Sequence, residues 1–313
     1  MKLKSRPAAL AAAVVAVALL AGCSWVGEKE KDTAGTAADT LEQNIEQNIE
    51  QFVEKTVKEA EEAAEKAWDN SEVKLTKADP ASLEISASLP VEAASELKVE
   101  NPVGKIKVEP ATGTDLSVKV KIWSPNIKKY GEKLRAIYEQ AQISITPSGE
   151  ELYVSTHAKD DPDLNLWEWA QDQYGFSDFS LEYTIGVPAE IHAFHITSRV
   201  GDVVLNGLKG TYRVRSDVGA IELRNASIEG ESEISTSTGS VELEIAGIES
   251  TGSLQVRADT GSIEADLADS LNCDLETKVD LGSISGAPKG KSQIGDGGPL
   301  VSLSASLGSI TVK

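Results

Sequence analysis

Apolar and polar residues alternate along much of the chain beyond residue 71. The segments 83–89 and 116–122, for example, place Leu, Ile, Val or Ala at every second position. A period of two puts alternate side chains on opposite faces of a β-strand, so the pattern predicts an all-β domain over residues 71–313. The alternation breaks at 124–141, where a helix is predicted, and we treat about 124–180 as an insertion into this domain.

The period changes to three and four residues in the preceding segment, 41–70. Leu41, Ile45, Ile49 and Val57 lie on one stripe, which weakens to alanine towards Trp68. This spacing predicts an amphipathic helix about 42 Å long, at about 1.5 Å per residue. The pattern leaves two roles open: a stalk that self-associates, or a helix that lies on the protein's own body or acts as a solvated spacer.

A glycine recurs about every twenty residues in the C-terminal part of the chain. A Val or Ile lies two residues after each glycine, and an apolar residue, or once a Thr, lies five before it. Such a period predicts a parallel β-solenoid whose rungs turn at glycine, with both flanking positions in its core. The structural turn glycines are Gly104, Gly201, Gly219, Gly239, Gly261, Gly282 and Gly308.

The segment Leu181–Lys313 opens with "LEYTIGVPAEIHAFHITSRVGDVVLNGLKGTYRVRSDVGAIEL". It resembles the adhesin-like bacterial domains of unknown function that carry repeated Gly-x-Ile-x-Val rungs, and Glu96–Ala111 resembles them weakly. The resemblance implies a parallel β-solenoid on the bacterial surface. It implies no established catalytic activity, and the family offers no catalytic residues to carry over.

The N-terminus has the pattern of an export signal. Three basic residues precede an apolar run from Ala8 to Ala21, which is shorter than the roughly 20 residues of a membrane-spanning helix. The run ends in "LLAGC", which resembles the lipobox of bacterial lipoproteins. The resemblance implies that residues 1–22 are removed and that Cys23 carries lipid, followed by a flexible spacer at 23–40.

The net charge of the chain limits the kinds of partner that it can bind. The chain has a formal net charge of −20, and loss of three basic residues with the signal would make it −23. This charge excludes a nucleic-acid partner and repels anionic lipid, so the predicted membrane contact is the lipid on Cys23.

Only Cys273 would remain as a thiol; it aligns with inward positions and is expected to be a small buried hydrophobe.

No catalytic residue, metal site or cofactor is predicted. The turn glycines lead into strands rather than helices, so they are not phosphate loops. Asp259 and Asp280 were the best candidates for a shared cation, on rungs expected to be adjacent, and Asp161 and Asp163 belong to a predicted solvated loop. His192 and His195 are three residues apart on a strand and therefore face opposite sides.

One aromatic cluster lies in the insertion, within "LWEWAQDQYGFSDF". Exposed, it would form a recognition surface for sugar rings or a partner protein; buried, it would cap the solenoid or form the insertion's own core. Its members are Trp167, Trp169, Tyr174, Phe176 and Phe179.

Together these features predict a lipid-anchored, extracytoplasmic, non-catalytic module for surface binding, adhesion or envelope scaffolding. Its expected partners are the membrane through lipid, an envelope protein or glycan, and a second copy through the C-terminal rung or the helical stalk. A polysaccharide-active β-helix enzyme and a sensor or regulator of envelope stress are the alternatives.

The anchor has a direct test. We expect metabolic labelling with a radioactive fatty acid to mark the wild-type chain and not Cys23→Ala, because the thiol is the predicted acceptor. Cys273→Ala should label like wild type. Equal labelling of Cys23→Ala would remove the anchor.

Overall fold

The computed structural model describes residues 82–268 and 270–313. The predicted signal peptide, Cys23, the spacer and the amphipathic helix lie outside the described residues. Within them the prediction of an all-β domain is confirmed, since most residues are in strands. Neither helix formed by this part of the chain is long and apolar enough to span a bilayer.

The described residues form eighteen strands and two helices. In chain order these are β1 (Ser82–Pro90), β2 (Glu96–Val103), β3 (Ile106–Pro110), β4 (Asp115–Trp123), α1 (Ile127–Gln140), β5 (Ala141–Ser148), β6 (Glu151–Ala158), β7 (Asp161–Asn165), α2 (Leu166–Tyr174), β8 (Ser180–Val187), β9 (Ala193–Val200), β10 (Val203–Asn206), β11 (Lys209–Val218), β12 (Ile221–Ile228), β13 (Glu231–Thr238), β14 (Val241–Ile248), β15 (Ser253–Leu267), β16 (Cys273–Ser285), β17 (Gly290–Ile294) and β18 (Leu300–Val312).

The strands pair in two parallel ladders. Strands that precede a turn glycine form the first ladder, with β6 of the insertion added at one end: β6–β2–β9–β11–β13–β15. Strands that follow a turn glycine form the second, with β8 added at the corresponding end: β8–β3–β10–β12–β14–β15. The longer strands β15, β18 and β16 run through their glycine and belong to both ladders.

Antiparallel strands flank the ladders. Strand β4 pairs with β1 and β8 at the start of the second ladder, and β5, β6 and β7 form an antiparallel group beside the first. The insertion thus contains the predicted helix, as α1, and a second helix, α2, that the sequence pattern did not indicate. Asn165 begins α2 by accepting a hydrogen bond from the Glu168 backbone N–H at 3.0 Å, so "DDPDLN" is a strand and a helix cap rather than a solvated loop.

The turn glycines lie in one stack. At the centre, the Gly219 N–H donates to the Thr238 carbonyl at 2.9 Å, and the Gly239 N–H donates to the Thr260 carbonyl at 3.0 Å. Gly239 has φ +150°, and a Cβ there would overlap the Gly219 carbonyl oxygen. Only glycine therefore fits this corner.

The last two rungs do not follow chain order. Strand β18 lies between β15 and β16, with Gly261 and Gly282 both in register with Gly308. The expectation that the rungs of Asp259 and Asp280 are adjacent is therefore wrong. The last strand is expected to be covered either by another segment or by a second copy, and in the structure β15 and β16 of the same chain cover its two edges, so that β16 is the final rung of the stack.

The core lies between the two ladders, and the predicted inward positions are confirmed. The residues five before the glycines, such as Val99, Ile234 and Leu303, are buried, and so are Ile106 and Ile263 two residues after them. Ile284 is half-buried because its strand, β16, ends the stack. Cys273 is also buried, and burial raises the pKa of its thiol, so the expectation of a small buried hydrophobe is confirmed.

The corner constraint predicts a large difference between two glycines of the same rung. We expect Gly239→Ala to lower the free energy of unfolding by about 1–3 kcal/mol from backbone strain alone, with the carbonyl overlap adding to it. Urea unfolding followed by circular dichroism measures the change. Gly247→Ala is the control, because Gly247 has no atom within 4 Å of its Cβ position. Equal losses in the two variants would contradict the corner argument.

Candidate functional site

The aromatic cluster of the insertion is internal. Trp167, Trp169, Phe176 and Phe179 are buried, and Tyr174 is half-buried. Trp167 stacks on Phe179 with ring centres 5.4 Å apart and donates its indole N–H to the Phe179 carbonyl at 3.0 Å. The rings form the core of the insertion, as the buried alternative predicts, and not the alternative aromatic recognition surface, so recognition needs other residues.

Exposed aliphatic side chains occur instead at the glycine corners. Each turn glycine is directly preceded by Val, Leu or Thr, and all seven of these residues are exposed; the exposed fraction of the aliphatic ones runs from 36% for Val103 to 68% for Leu281. We call this set the corner stripe. In stacking order it consists of Val103, Val200, Val218, Thr238, Thr260, Leu307 and Leu281.

The corner explains why the stripe is exposed. Alternation predicts that the residue before the glycine points inward, because residues three and five before the glycine are inward. Ser216 and Val214, for example, are buried, whereas Val218 is 47% exposed. The chain turns at Gly219, and this turn carries the Val218 side chain past the edge of the core. Strand periodicity therefore misses the stripe, although the recurring aliphatic or Thr residue before each glycine is a signal for it.

The acidic turns do not form a shared cation site. Strand β18 separates Asp259 on β15 from Asp280 on β16, so the two carboxylates are not on adjacent rungs. Each forms an ion pair within its own strand: Arg257 donates to Asp259 at 2.8 Å, and Lys278 lies 3.3 Å from Asp280. Each of the two carboxylates is therefore already paired with a cationic side chain.

A different group of metal-ligating side chains converges on the outward face of the first ladder. Glu96 at the start of β2 and Glu151 at the start of β6 are direct partners, and His195 lies on β9, the other neighbour of β2. One oxygen of each carboxylate and one ring nitrogen lie within 4.8 Å of one another, and the three residues are half-buried. We call these residues the Glu–His cluster.

A serine–histidine pair lies in the insertion. His157 is 1% exposed, its Nε2 is 2.5 Å from Ser144 Oγ, and its Nδ1 is 2.8 Å from the Ala158 carbonyl. Burial lowers the pKa of His157, so the ring is neutral, donates Nδ1–H to the carbonyl and accepts the Ser144 hydroxyl at Nε2. Such a pair can activate a nucleophile. Because this ring is almost fully enclosed, the contact joins β5 to β6 rather than serving a substrate.

Comparison with known proteins assigns the chain to no family. No model of a protein family matches the chain, and no curated protein matches it either.

Solved structures with some likeness include three bacterial proteins, each overlapping 74% of this chain. A candidate cell adhesion protein from Clostridium sporogenes shares 11% identity with a TM-score of 0.43 over 99% of that chain. A candidate adhesin from Bacteroides fragilis shares 15% identity, with a TM-score of 0.26 over 97% of that chain. A candidate lipid binding protein from Parabacteroides distasonis shares 12% identity, with the same TM-score and 97% of that chain covered. Likeness at this level supports no inference about function.

Burial of His157 predicts a specific pH dependence of stability. The folded-state pKa lies below the ordinary value of 6.5, so the unfolded chain takes up the proton first as pH falls. The stabilisation is complete above pH 6.5 and is lost as pH falls from there towards the lowered folded-state pKa, by up to about 1.4 kcal/mol per pH unit.

Melting temperatures at pH 7.5 and pH 5.5 measure this effect. We expect His157→Gln to remove part of the wild-type decrease, while the control His192→Gln, at an exposed position, keeps it. The same decrease in His157→Gln as in wild type would show that another group causes it.

Proposed function

We propose that this chain is a lipid-anchored, extracytoplasmic and non-catalytic binding module of the adhesin-like kind. In this proposal its two parallel ladders are faces of a β-solenoid, and the corner stripe is the surface that contacts an envelope protein. The observation that carries the proposal is the stripe itself.

Single exposed apolar residues are ordinary on protein surfaces, but contiguous rows of them mark interaction sites. Here Val103, Val200 and Val218 are in direct register, and Leu307 and Leu281 continue the row beyond two threonines. Seven rungs at about 4.8 Å give a row roughly 29 Å long. Because the row recurs at one structural position, it follows from the repeat rather than from scattered substitutions.

The chemistry of the stripe favours a protein partner over a glycan. Valine, leucine and threonine offer methyl groups, which pack against other apolar side chains. Sugar rings are usually bound by aromatic faces, and the aromatic rings expected to do this are buried in the insertion. We therefore place the partner among envelope proteins.

The anchor and the charge are consistent with this location. A mature chain of net charge −23 would be repelled by anionic headgroups, so the lipid on Cys23 would hold it at the membrane. The stripe would then remain available to a neighbour in the envelope.

A polysaccharide-active enzyme is less well supported. Glycosidases need two facing carboxyl groups about 5–9.5 Å apart, one of them with a raised pKa. Asp259 and Asp280 are separated by an intervening strand, and each is paired with a cation. The His157 ring of the Ser144–His157 pair is almost fully buried.

Binding to isolated envelopes tests the proposed surface. We expect the triple variant Val200→Ser, Val218→Ser, Leu307→Ser to bind at least about tenfold more weakly than wild type, which corresponds to about 1.4 kcal/mol over three contacts. The measurement is saturation binding of the labelled full chain, with Cys23→Ala in every variant so that the proposed lipid does not itself hold the chain on the envelope. Because the three side chains are exposed, the melting temperature should be unchanged.

A matched triple variant, Thr197→Ala, Ser235→Ala, Ser302→Ala, changes outward residues of the same ladder away from the corner and should bind like wild type. Protease treatment of the envelopes should abolish binding, whereas glycan removal should not. Equal binding by the stripe variant, or turnover of envelope glycans by the wild-type chain, would refute the proposal.

A further inference from the structure

We propose that Glu96, Glu151 and His195, the Glu–His cluster, bind a divalent transition-metal ion of the zinc class. The proposal is independent of the corner stripe, because the cluster lies on the ladder's outward face and not at the glycine corner.

Strand register brings the three ligands together. Glu96 faces Glu151 across the β2–β6 pair, and Lys98, two residues further along β2, faces His195 across the β2–β9 pair. Their neighbours Leu97, Leu152 and Phe194 are buried, so Glu96, Glu151 and His195 share the outward face. Each ligand comes from a different strand of a hydrogen-bonded sheet, which fixes their spacing.

The spacing suits an ion after a small adjustment. Ligand bonds to Zn²⁺ are about 2.0–2.2 Å, which puts tetrahedral ligand atoms roughly 3.3–3.6 Å apart. The ligand atoms here are spread within 4.8 Å, and rotation of the two half-buried glutamates can close the difference. Three protein ligands would leave a fourth position open to water or to a partner.

No ion pair neutralises the two carboxylates within the described residues, although Arg213 on β11 lies opposite His195. Like charges on directly opposed strand positions repel each other. The nearest lysine on β2, Lys98, is occupied elsewhere: its Nζ lies 3.5 Å from a Glu100 carboxylate oxygen and 5.5 Å from the Tyr153 ring centre. The side chains of Glu96, Glu151 and His195 form no hydrogen bond and no ion pair with any described residue. A bound cation would remove the repulsion.

Convergence also distinguishes these residues from the other acids of the chain. Among residues 82–268 and 270–313, this is the one place where three ionisable ligand groups approach so closely.

The donor set selects the class of metal. Imidazole with two carboxylates suits Zn²⁺, Co²⁺ or Mn²⁺, whereas Ca²⁺ and Mg²⁺ favour sites built from oxygen alone with six or more ligands.

Titration of the chelator-treated full chain with Co²⁺, followed by displacement with Zn²⁺, tests the site. We expect one equivalent of Co²⁺ to produce visible d–d absorption that Zn²⁺ abolishes. The near-ultraviolet band of a cobalt–thiolate bond should be absent, since no Cys belongs to the site. The same cobalt spectrum in Cys23→Ala would confirm that Cys23 is not a ligand.

Substitution of each ligand should weaken binding at least about tenfold, since even outer-shell partners cost 10–100-fold. His195→Ala and Glu151→Gln test this directly, and His195→Asn is a second variant should the alanine variant unfold. His192→Ala is the matched control, because its exposed imidazole is three residues away on the same segment. Wild-type affinity in folded His195 and Glu151 variants, loss of binding in His192→Ala, or no Co²⁺ binding by the wild type would overturn the proposal.

Discussion

The architecture depends on the missing Cβ at each corner. The carbonyl oxygen of one turn glycine occupies the space that a side chain on the next glycine would need, so successive rungs approach closely and turn at the same point. The adjacent polar side chains support the turn: Ser198 and Ser216 each donate a long hydrogen bond to the Gly201 carbonyl, at 3.4 and 3.5 Å. Because all corners coincide, residues at the same distance from the glycine form straight columns.

These columns give the described domain both its core and its surface chemistry. Columns five residues before and two residues after the glycine fill the interior with Val, Ile and Leu. The column directly before the glycine is carried outside and becomes the corner stripe. Away from the corner, the same register sets Glu96 beside Glu151 and brings His195 close to both, although these residues are up to 99 positions apart in sequence.

The spacing of residues along the chain predicts those features of the fold that depend on residues close together in sequence. Alternation identifies the strands, and the glycine repeat identifies the corners and both inward columns, including the distant copy at Gly104. Helix α1 follows from the break in alternation. The exposure of Val218 does not follow from this spacing, because side chains alternate between inward and outward only along a straight strand, and the backbone turns at this position. Burial of Trp167 could not be decided either, since an aromatic cluster is equally compatible with a surface and with the core of an insertion. The Glu–His cluster depends on which strands are paired, and no spacing along the chain encodes that information.

The position of β18 gives this strand a role in assembly. Strand β16 is made before β18, yet its place in the stack lies beyond β18, so it has no neighbouring rung to pair with until β18 has been made. Vectorial synthesis or export from the N-terminus can therefore complete the rungs only as far as β15. The final thirteen-residue strand then enters between two segments that are already present and joins them. The fold beyond β15 thus depends on β18, and a chain that stopped before this strand would expose the edges of both β15 and β16 to quality-control proteases.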